Sequence, residues 1–386
     1  MGGGNGTGGR SAACDPASRP SLPSNLTPHP SACETESMSL TLARIAELTG
    51  GRLAGDGART IDRVRPLGEA QPTDLSFVAN AKAVAGLAES RAGALIVLEG
   101  LRVSGRDIVF HPQPQTAMSQ VARELYPDVA PPVGVHDLAV VDPTARLGAG
   151  VRVAPFAVIE ADAVLGDGVS IGAGVHVARG VTIGAGTVVH ARVVLYPRVS
   201  IGKQCLIHAG AVLGADGFGF VTTDGHHEKI PQVGGVEIAD DVEIGANSCI
   251  DAGTLAPTRV GENTKIDDLV MIGHNNQIGR SVLLCGQVGL AGSNEIGDNV
   301  ILTGQTGVSG HLRVGKGAMA AAKCAITRNV GPGEKVAGVP HMPLGLWRRV
   351  WKASQRLPEM RREMKALLRR VDDLERLVDT ETPDRF

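Results

Sequence analysis

Aromatic side chains are almost missing from this chain: two Trp, two Tyr and six Phe among 386 residues. That scarcity excludes an interior built on ring packing and leaves aliphatics to fill the core. No apolar run reaches the roughly 18 residues expected of a membrane-spanning helix, so no integral membrane segment is expected. The formal net charge is only −2, which argues against nucleic acid as the partner of the molecule as a whole. The six Cys (Cys14, Cys33, Cys205, Cys249, Cys285 and Cys324) show no CxxC spacing and read as core fillers or tail residues. A reducing, cytoplasmic setting is expected from them. Residues 1–37 have neither a basic opening nor an apolar stretch, so they do not read as a secretory signal. Their Gly, Pro and Ser content predicts a disordered extension.

What the chain has in abundance is Gly, 51 residues of it, and a period of six. From Val141 through Leu147, Val153, Ile159 and onward to Leu213 an aliphatic returns every sixth position. The series resumes at Ile238, Ile244 and Ile250, slips by four, and runs from Val260 to Val314, closing with Ala320 and Ile326. Amphipathic helices repeat at about 3.6 residues and half-buried strands at 2, so neither fits. A parallel β-helix does, with one short strand and one corner per hexad. The aliphatic is expected to point into the bore, and the Gly that often follows it to serve the turn. Three hexads per coil give roughly nine coils, on the order of 40 Å tall at the usual inter-strand step. Flat sides and open ends ask for caps and for pairing with other copies.

The hexads occupy one of four segments: the extension 1–37, a non-repeating segment 38–136, the solenoid 137–330, and a helical region 331–386. In the second segment Ser39 or Thr41 is a possible helix cap and Gly50 and Gly51 a helix end. "DLSFVAN", "AGALIVL" and "RDIVF" read as strands, whereas "AKAVAGLAESRAG" and "PQTAMSQVARELYP" read as helices, together a small α/β domain. A break from Gly214 to Gly235 carries two of the six Phe and two of the eleven His. Loops of that length on a regular scaffold are more often functional than accidental. The last segment has helical spacing (Leu344, Trp347, Val350, Trp351, then Met364, Leu367, Leu368, Val371, Leu374) and is strongly basic up to Arg370.

Few residues bear chemistry. His274 lies two positions past the inward Ile272, at an outward corner, where a lone His is usually just a surface residue. Gly292 stands 18 residues on, one coil above, which brings its N–H close to the imidazole. A base beneath a free amide donor is the minimum equipment for acyl transfer. Asp267 and Asp268 precede His274 and either could orient the ring. His311, two coils and one residue beyond, falls on the same edge as a substrate contact or an ordinary corner residue. His190 and His208 differ by 18 and should stack. A metal site would need a third ligand that His176 does not supply, so none is assigned. "GADGFGF" follows no strand-to-helix pattern and is not a dinucleotide fingerprint. Its Phe218 and Phe220 either cover a ligand or pin the loop.

The α/β head with "DLSFVAN", the solenoid broken by "GADGFGF" and "KIPQVGGVEIADDVEIGANSCID", the "IGHN" and the terminal helix together resemble the UDP-3-O-acylglucosamine N-acyltransferases of lipid A biosynthesis. The resemblance runs from Met38 to about Asp379. The sister O-acyltransferases share the solenoid and lack the head. The resemblance implies a left-handed parallel β-helix, mainly β, with a small N-terminal α/β domain and a C-terminal helical extension, assembled as a homotrimer with sites between subunits. It implies His274 as general base, Asp267 as its support, Gly292 as oxyanion donor and His311 as a second active-site His. It further implies Phe77 and Asn80 as holders of the uracil ring. The family has an aromatic six residues after that Phe, where this chain has Ala83. The implied reaction moves a 3-hydroxyacyl chain from the phosphopantetheine of acyl carrier protein to the 2-amine of a UDP-sugar. No cofactor or metal is called for, and the basic helix would receive the acidic carrier. An acetyl-CoA-dependent sugar acetyltransferase and a non-catalytic scaffold are the competing readings.

Overall fold

The computed structural model describes residues 38–127 and 130–380, with side chains through Arg376. The extension 1–37, expected to be disordered, lies outside the described residues. Two compact units divide after Val129. The first solenoid strand, Gly134–Val135, falls just inside the segment assigned from sequence to the head.

In the second unit, strands of mostly two residues recur every six positions and pair in parallel with the strand 18 residues on. Leu147 stands beside Leu165, Val153 beside Ile171 and Ile159 beside Val177. They stack into three columns of nine, twelve and ten strands. The twelfth, Met342–Pro343, pairs antiparallel and closes the end. Every hexad aliphatic from Val153 to Ile326 is buried, in one continuous core. Each buried Val, Leu or Ile is worth about 1.5–3 kcal/mol of transfer free energy, so the repeat itself is the source of stability. Cys205 and Cys324 fill the same bore, and burial pushes the Cys324 thiol up to about 11.

Two details differ from the hexad reading. Each strand points two residues inward, not one: Val151, Ala157, Ala163 and Val169, each two positions before an aliphatic, are also buried. Where a polar residue takes this place it bonds to backbone, as buried polar groups must. Thr264 Oγ1 donates to Gly279 O at 3.0 Å and accepts from Val282 N at 3.1 Å. The Gly beside the aliphatic answers to space rather than to turn geometry. A Cβ on Gly172 would fall 2.6 Å from Ala191 N, and one on Gly245 only 2.3 Å from the Asp267 carbonyl carbon. The left-handed backbone sits two residues further along, at Phe156, Arg192, Gln204, Asn247 and Asn263 (φ 55° to 64°).

The long break begins with the strand Val212–Asp216, which pairs with Cys249–Ala252 through an irregularity between Leu213 and Ala215. It then projects a hairpin, Phe220–Thr223 against His226–Lys229. Phe218 (86% exposed) and Phe220 touch each other edge-on, ring centroids 5.1 Å apart. They do not pin the loop to the core.

The first unit is a five-stranded sheet with strand order Arg52–Ala54, Asp107–His111, Ala94–Leu98, Asp74–Val78, Arg63–Val64, parallel except for the first. Helix α1 (Leu42–Thr49) is capped by Thr41 and ends at Gly50 with φ 70°. The helix expected over "AKAVAGLAESRAG" is only α2 (Ala81–Val84) and one 3-10 turn. Its two Gly and mixed polarity give it no continuous apolar face to bury. Helix α3 (Pro114–Leu125) forms as expected. The C-terminal region is two helices, α4 (Leu344–Ser354) and α5 (Leu357–Thr380). Pro358 explains the break, since it offers no N–H to the preceding turn. Leu357, Met360, Met364, Leu367, Val371 and Leu374 make an exposed stripe along α5 at alternating spacings of three and four.

The space argument separates two kinds of Gly. Gly245→Ala should cost about 1–3 kcal/mol in chemical denaturation, the usual price of overpacking. Gly289→Ala should leave stability unchanged within error, because a Cβ there meets nothing within 4 Å.

Candidate active site

The corner after Ile272 holds His274, one coil beneath Gly292. A Cβ on Gly292 would lie 2.5 Å from His274 Nε2 and 2.6 Å from Cε1, so the imidazole packs face to backbone against this residue. From the other side Gly217 of the long loop packs on the ring's base, since a Cβ there would meet His274 Cβ at 2.5 Å. Only glycines fit both walls.

The ring's other nitrogen has a defined partner. His274 Nδ1 lies 3.0 Å from Asn275 Oδ1. The orientation of that amide is fixed, because Nδ2 donates to Ala256 O at 2.8 Å and Oδ1 accepts from Thr254 N at 3.0 Å. An acceptor at Nδ1 puts the proton there and leaves Nε2 with the lone pair. Asn276 anchors the corner from inside: its Nδ2 donates to Gly273 O (2.7 Å) and Ala291 O (2.9 Å), tying the coil of His274 to that of Gly292.

The backbone N–H of Gly292 is open. At four other corners the N–H two past the aliphatic is capped by an Asp one coil above. Ala149 donates to Asp167 (2.8 Å), Lys203 to Asp240 (2.7 Å), Ala246 to Asp268 (2.6 Å) and Arg280 to Asp298 (3.0 Å). Above Gly292 that place belongs to Gly310, which has no side chain. Among the described residues nothing accepts from the Gly292 N–H. An uncapped amide donor beside a basic imidazole nitrogen is suited to holding an oxyanion while a proton is removed.

His311 is exposed on the same edge, with φ 60°, its N–H donating to Gly292 O at 3.1 Å. His274, Gly292 and His311 are therefore brought together over three coils. Asp267 and Asp268 are not brought to His274 within this chain. Asp267 accepts from Gly286 N (2.8 Å) and Asp268 N (2.9 Å), and Asp268 caps Ala246. Asp267 faces a different recess, shared with Cys285, Gln305 and Lys323. The group on the ring is Asn275 instead, which sequence reasoning passed over although it is the next residue.

An apolar trough of about 450 Å³ starts at Ala291 and is lined by Met271, Gly289, Gly307, Ser309 and Ala325. Gly289 and Gly307 have neither a left-handed backbone nor a neighbour within 4 Å of a Cβ. Glycine weakens a strand, and at these two stacked positions the absent side chains leave the trough open. His190 and His208 stack as expected, 5.3 Å apart and 8° from parallel. Among the described residues no three His, Cys, Asp or Glu gather as a metal site, and no helix is long and apolar enough to cross a membrane. In the head, Phe77 is half-buried on the strand Asp74–Val78, and Asn80 caps α2 by accepting from Ala83 N at 3.0 Å. Ala83 packs against the cluster on one face of the sheet and Phe77 against that on the other.

The solenoid with its corner histidine fits a hexapeptide-repeat acyltransferase, and residues 144–179 and 180–215 match the bacterial transferase hexapeptide model. Residues 58–124 match the family model described as UDP-3-O-(3-hydroxymyristoyl) glucosamine N-acyltransferase. The UDP-3-O-acylglucosamine N-acyltransferase of Syntrophotalea carbinolica is 51% identical over 338 residues, covering 88% of this chain and 98% of that one. Its counterpart in Burkholderia multivorans is 48% identical over 347 residues, with 86% and 96% covered. A solved UDP-N-acetylglucosamine acyltransferase from Francisella novicida superposes with a TM-score of 0.42 at 28% identity, covering 56% of this chain and 73% of that one. The chain belongs to the UDP-3-O-acylglucosamine N-acyltransferase family.

Gly292→Ala should abolish acyl transfer, at least 100-fold in kcat, because its methyl group occupies the place of the imidazole. The circular dichroism and melting temperature of the variant should remain close to wild type.

Proposed function

We propose that this protein transfers a 3-hydroxyacyl chain from the thioester of acyl carrier protein to the 2-amine of UDP-3-O-(3-hydroxyacyl)-glucosamine, in lipid A biosynthesis. The observation that carries the reading is the His274 imidazole, its Nδ1 held by Asn275 Oδ1, packed beneath Gly292 with its uncapped N–H. The amine attacks the thioester carbonyl while Nε2 takes its proton, and the Gly292 N–H holds the oxygen as charge develops. Collapse expels the thiolate, which recovers the proton from the imidazolium. The thioester is already activated, so the reaction asks for no cofactor beyond the carrier's own phosphopantetheine.

The trough at Gly289 and Gly307 receives the acyl chain, and an apolar channel of that size has no use in acetyl transfer. His311 contacts substrate from the coil above. Asp267 would support a His274 only across a subunit boundary, and the α5 stripe, with its 3.5-residue average spacing, suits a parallel bundle of copies. Both favour a homotrimer. In the head, Phe77 and Asn80 sit at and just beyond the carboxyl end of a parallel strand, where such sheets bind nucleotides. Phe77 stacks on the uracil and Asn80 Nδ2 donates to it. The exposed cations from Arg348 to Arg370 along α4 and α5 receive the acidic carrier. Carrier and substrate place the reaction in the cytoplasm.

A donor screen with mass detection of the acylated sugar nucleotide tests the reading. Carrier thioester of a long 3-hydroxyacyl chain should be used in strong preference to acetyl-CoA, and the preference should shrink as salt screens the basic helices. His274→Ala should lower kcat by roughly 10²–10⁴-fold with assembly intact, the usual worth of a positioned base. Preference for acetyl-CoA, or turnover undiminished in a folded His274→Ala protein, would overturn the assignment.

Gly307→Leu should fill the trough. Turnover of long-chain donors should fall at least tenfold, while donors a few carbons long keep their rate, read as kcat/KM across a chain-length series.

A further inference from the structure

One buried titratable group lies beside the site and has no part in the mechanism above. Asp251 is 7% exposed. It follows Ile250, which pairs with Ile272, so it lies one coil beneath the corner of His274. On its other side Ala215 of the long loop pairs with it. Among the described residues its carboxylate has no hydrogen-bond donor. The charged groups acting on it are His274 from the coil above and Asp216 from the loop. Asp216 is itself paired with Lys229 at 2.6 Å. On its own strand the Cys249 thiol feels the Asp251 charge.

An unpaired carboxylate in such a place is costly. Burial first, and the Asp216 charge after it, push the carboxyl up to about 6, with His274 pulling the other way. A core residue chosen for stability would be Asn or Leu. The long loop that buries Asp251 is the same one that lays Gly217 on the imidazole, so burying this charge and walling the base are one construction.

We propose that Asp251 is a positioning residue that acts through His274: its anion stabilises the imidazolium formed when Nε2 takes the proton of the attacking amine. The role rests on His274 being the base. Asp251 accepts no proton itself. The proton passes from the amine to Nε2 and then to the departing thiolate, and the carboxylate lowers the energy of the state between. Asn275 fixes the tautomer of the ring without carrying charge, so the compensating anion has to come from elsewhere, and Asp251 supplies it from the coil below.

Asp251→Asn, His274→Ala and the double variant decide it, with wild type, in one panel. Asp251→Asn should lower kcat at least tenfold and leave KM for the sugar nucleotide within about twofold, since the anion matters only once the imidazolium forms. In the His274→Ala background the same change should cost nothing further, because the group it acts through is gone. Melting gives a readout that does not depend on turnover. The raised carboxyl means that the native state holds its proton more tightly than the unfolded chain, so ionisation there costs stability as pH rises from about 4 through 6. Asp251→Asn should therefore melt several degrees higher than wild type at pH 7.5 and lose that advantage near pH 4. Wild-type kcat in Asp251→Asn, losses that multiply in the double variant, or a lower melting point at pH 7.5 would each overturn the proposal. Normal turnover in His274→Ala would remove the base itself, a failure separable from these.

Discussion

The parallel ladder between residues 18 apart is the constraint on which everything else in the solenoid rests. Once Leu147 pairs with Leu165 and Val153 with Ile171, every corner stands directly above the one before it. A side chain and a backbone amide one coil apart then meet at a distance that the ladder sets. The ladder alone brings the His274 imidazole beneath the backbone of Gly292.

That is why glycine carries so much of the meaning here, and why three uses of it have to be kept apart. At Gly172 and Gly245 the next coil's backbone leaves no room for a Cβ. At Gly217 and Gly292 the imidazole takes the room. At Gly289 and Gly307 the room is there and nothing fills it. Composition counts all of them alike, and only the stacked register tells them apart. The Asp residues obey the same logic. Asp167, Asp240, Asp268 and Asp298 stitch a corner N–H below them, whereas Gly310, above Gly292, has no side chain to do so.

The fold was legible in the sequence because a six-residue period has one structural meaning, and the stacking of His274 under Gly292 followed from counting by 18. What the count left out depends on direction rather than spacing. Asn275 holds the ring because the corner turns left-handed at that residue (φ 61°) and swings its amide back toward Nδ1. No periodicity reports that. Asp267 and Asp268 are close to His274 along the chain, yet six residues make one whole side of a triangular coil, so within one chain their carboxylates face the neighbouring corner. The uncapped Gly292 was not singled out by spacing, because most corners carry Ala, Gly or another residue two past the aliphatic, and among the described residues only four carry an Asp that caps. In the head the short α2 shows the opposite limit: Ala, Lys and Gly in "AKAVAGLAESRAG" permit a helix but bury too little to extend it.

Asp251 shows how a regular scaffold pays for chemistry. A β-helix has no interior pocket in which to hide a charge, because its bore is filled from end to end. Burying a carboxylate outside the bore requires something laid over it, and the departure from the hexads at Gly214 supplies the cover. The loop also brings Gln232, which is 3% exposed and whose Oε1 accepts from Thr254 Oγ1 at 3.1 Å. Thr254 N in turn holds the amide that sets the tautomer of His274. One insertion thus reaches the imidazole twice: through Thr254 it holds the Asn275 amide that sets the tautomer, and through Ala215 and Asp216 it stands beside Asp251. Removing the break would leave a more regular solenoid with a histidine on its corner, and that histidine would be an ordinary surface residue.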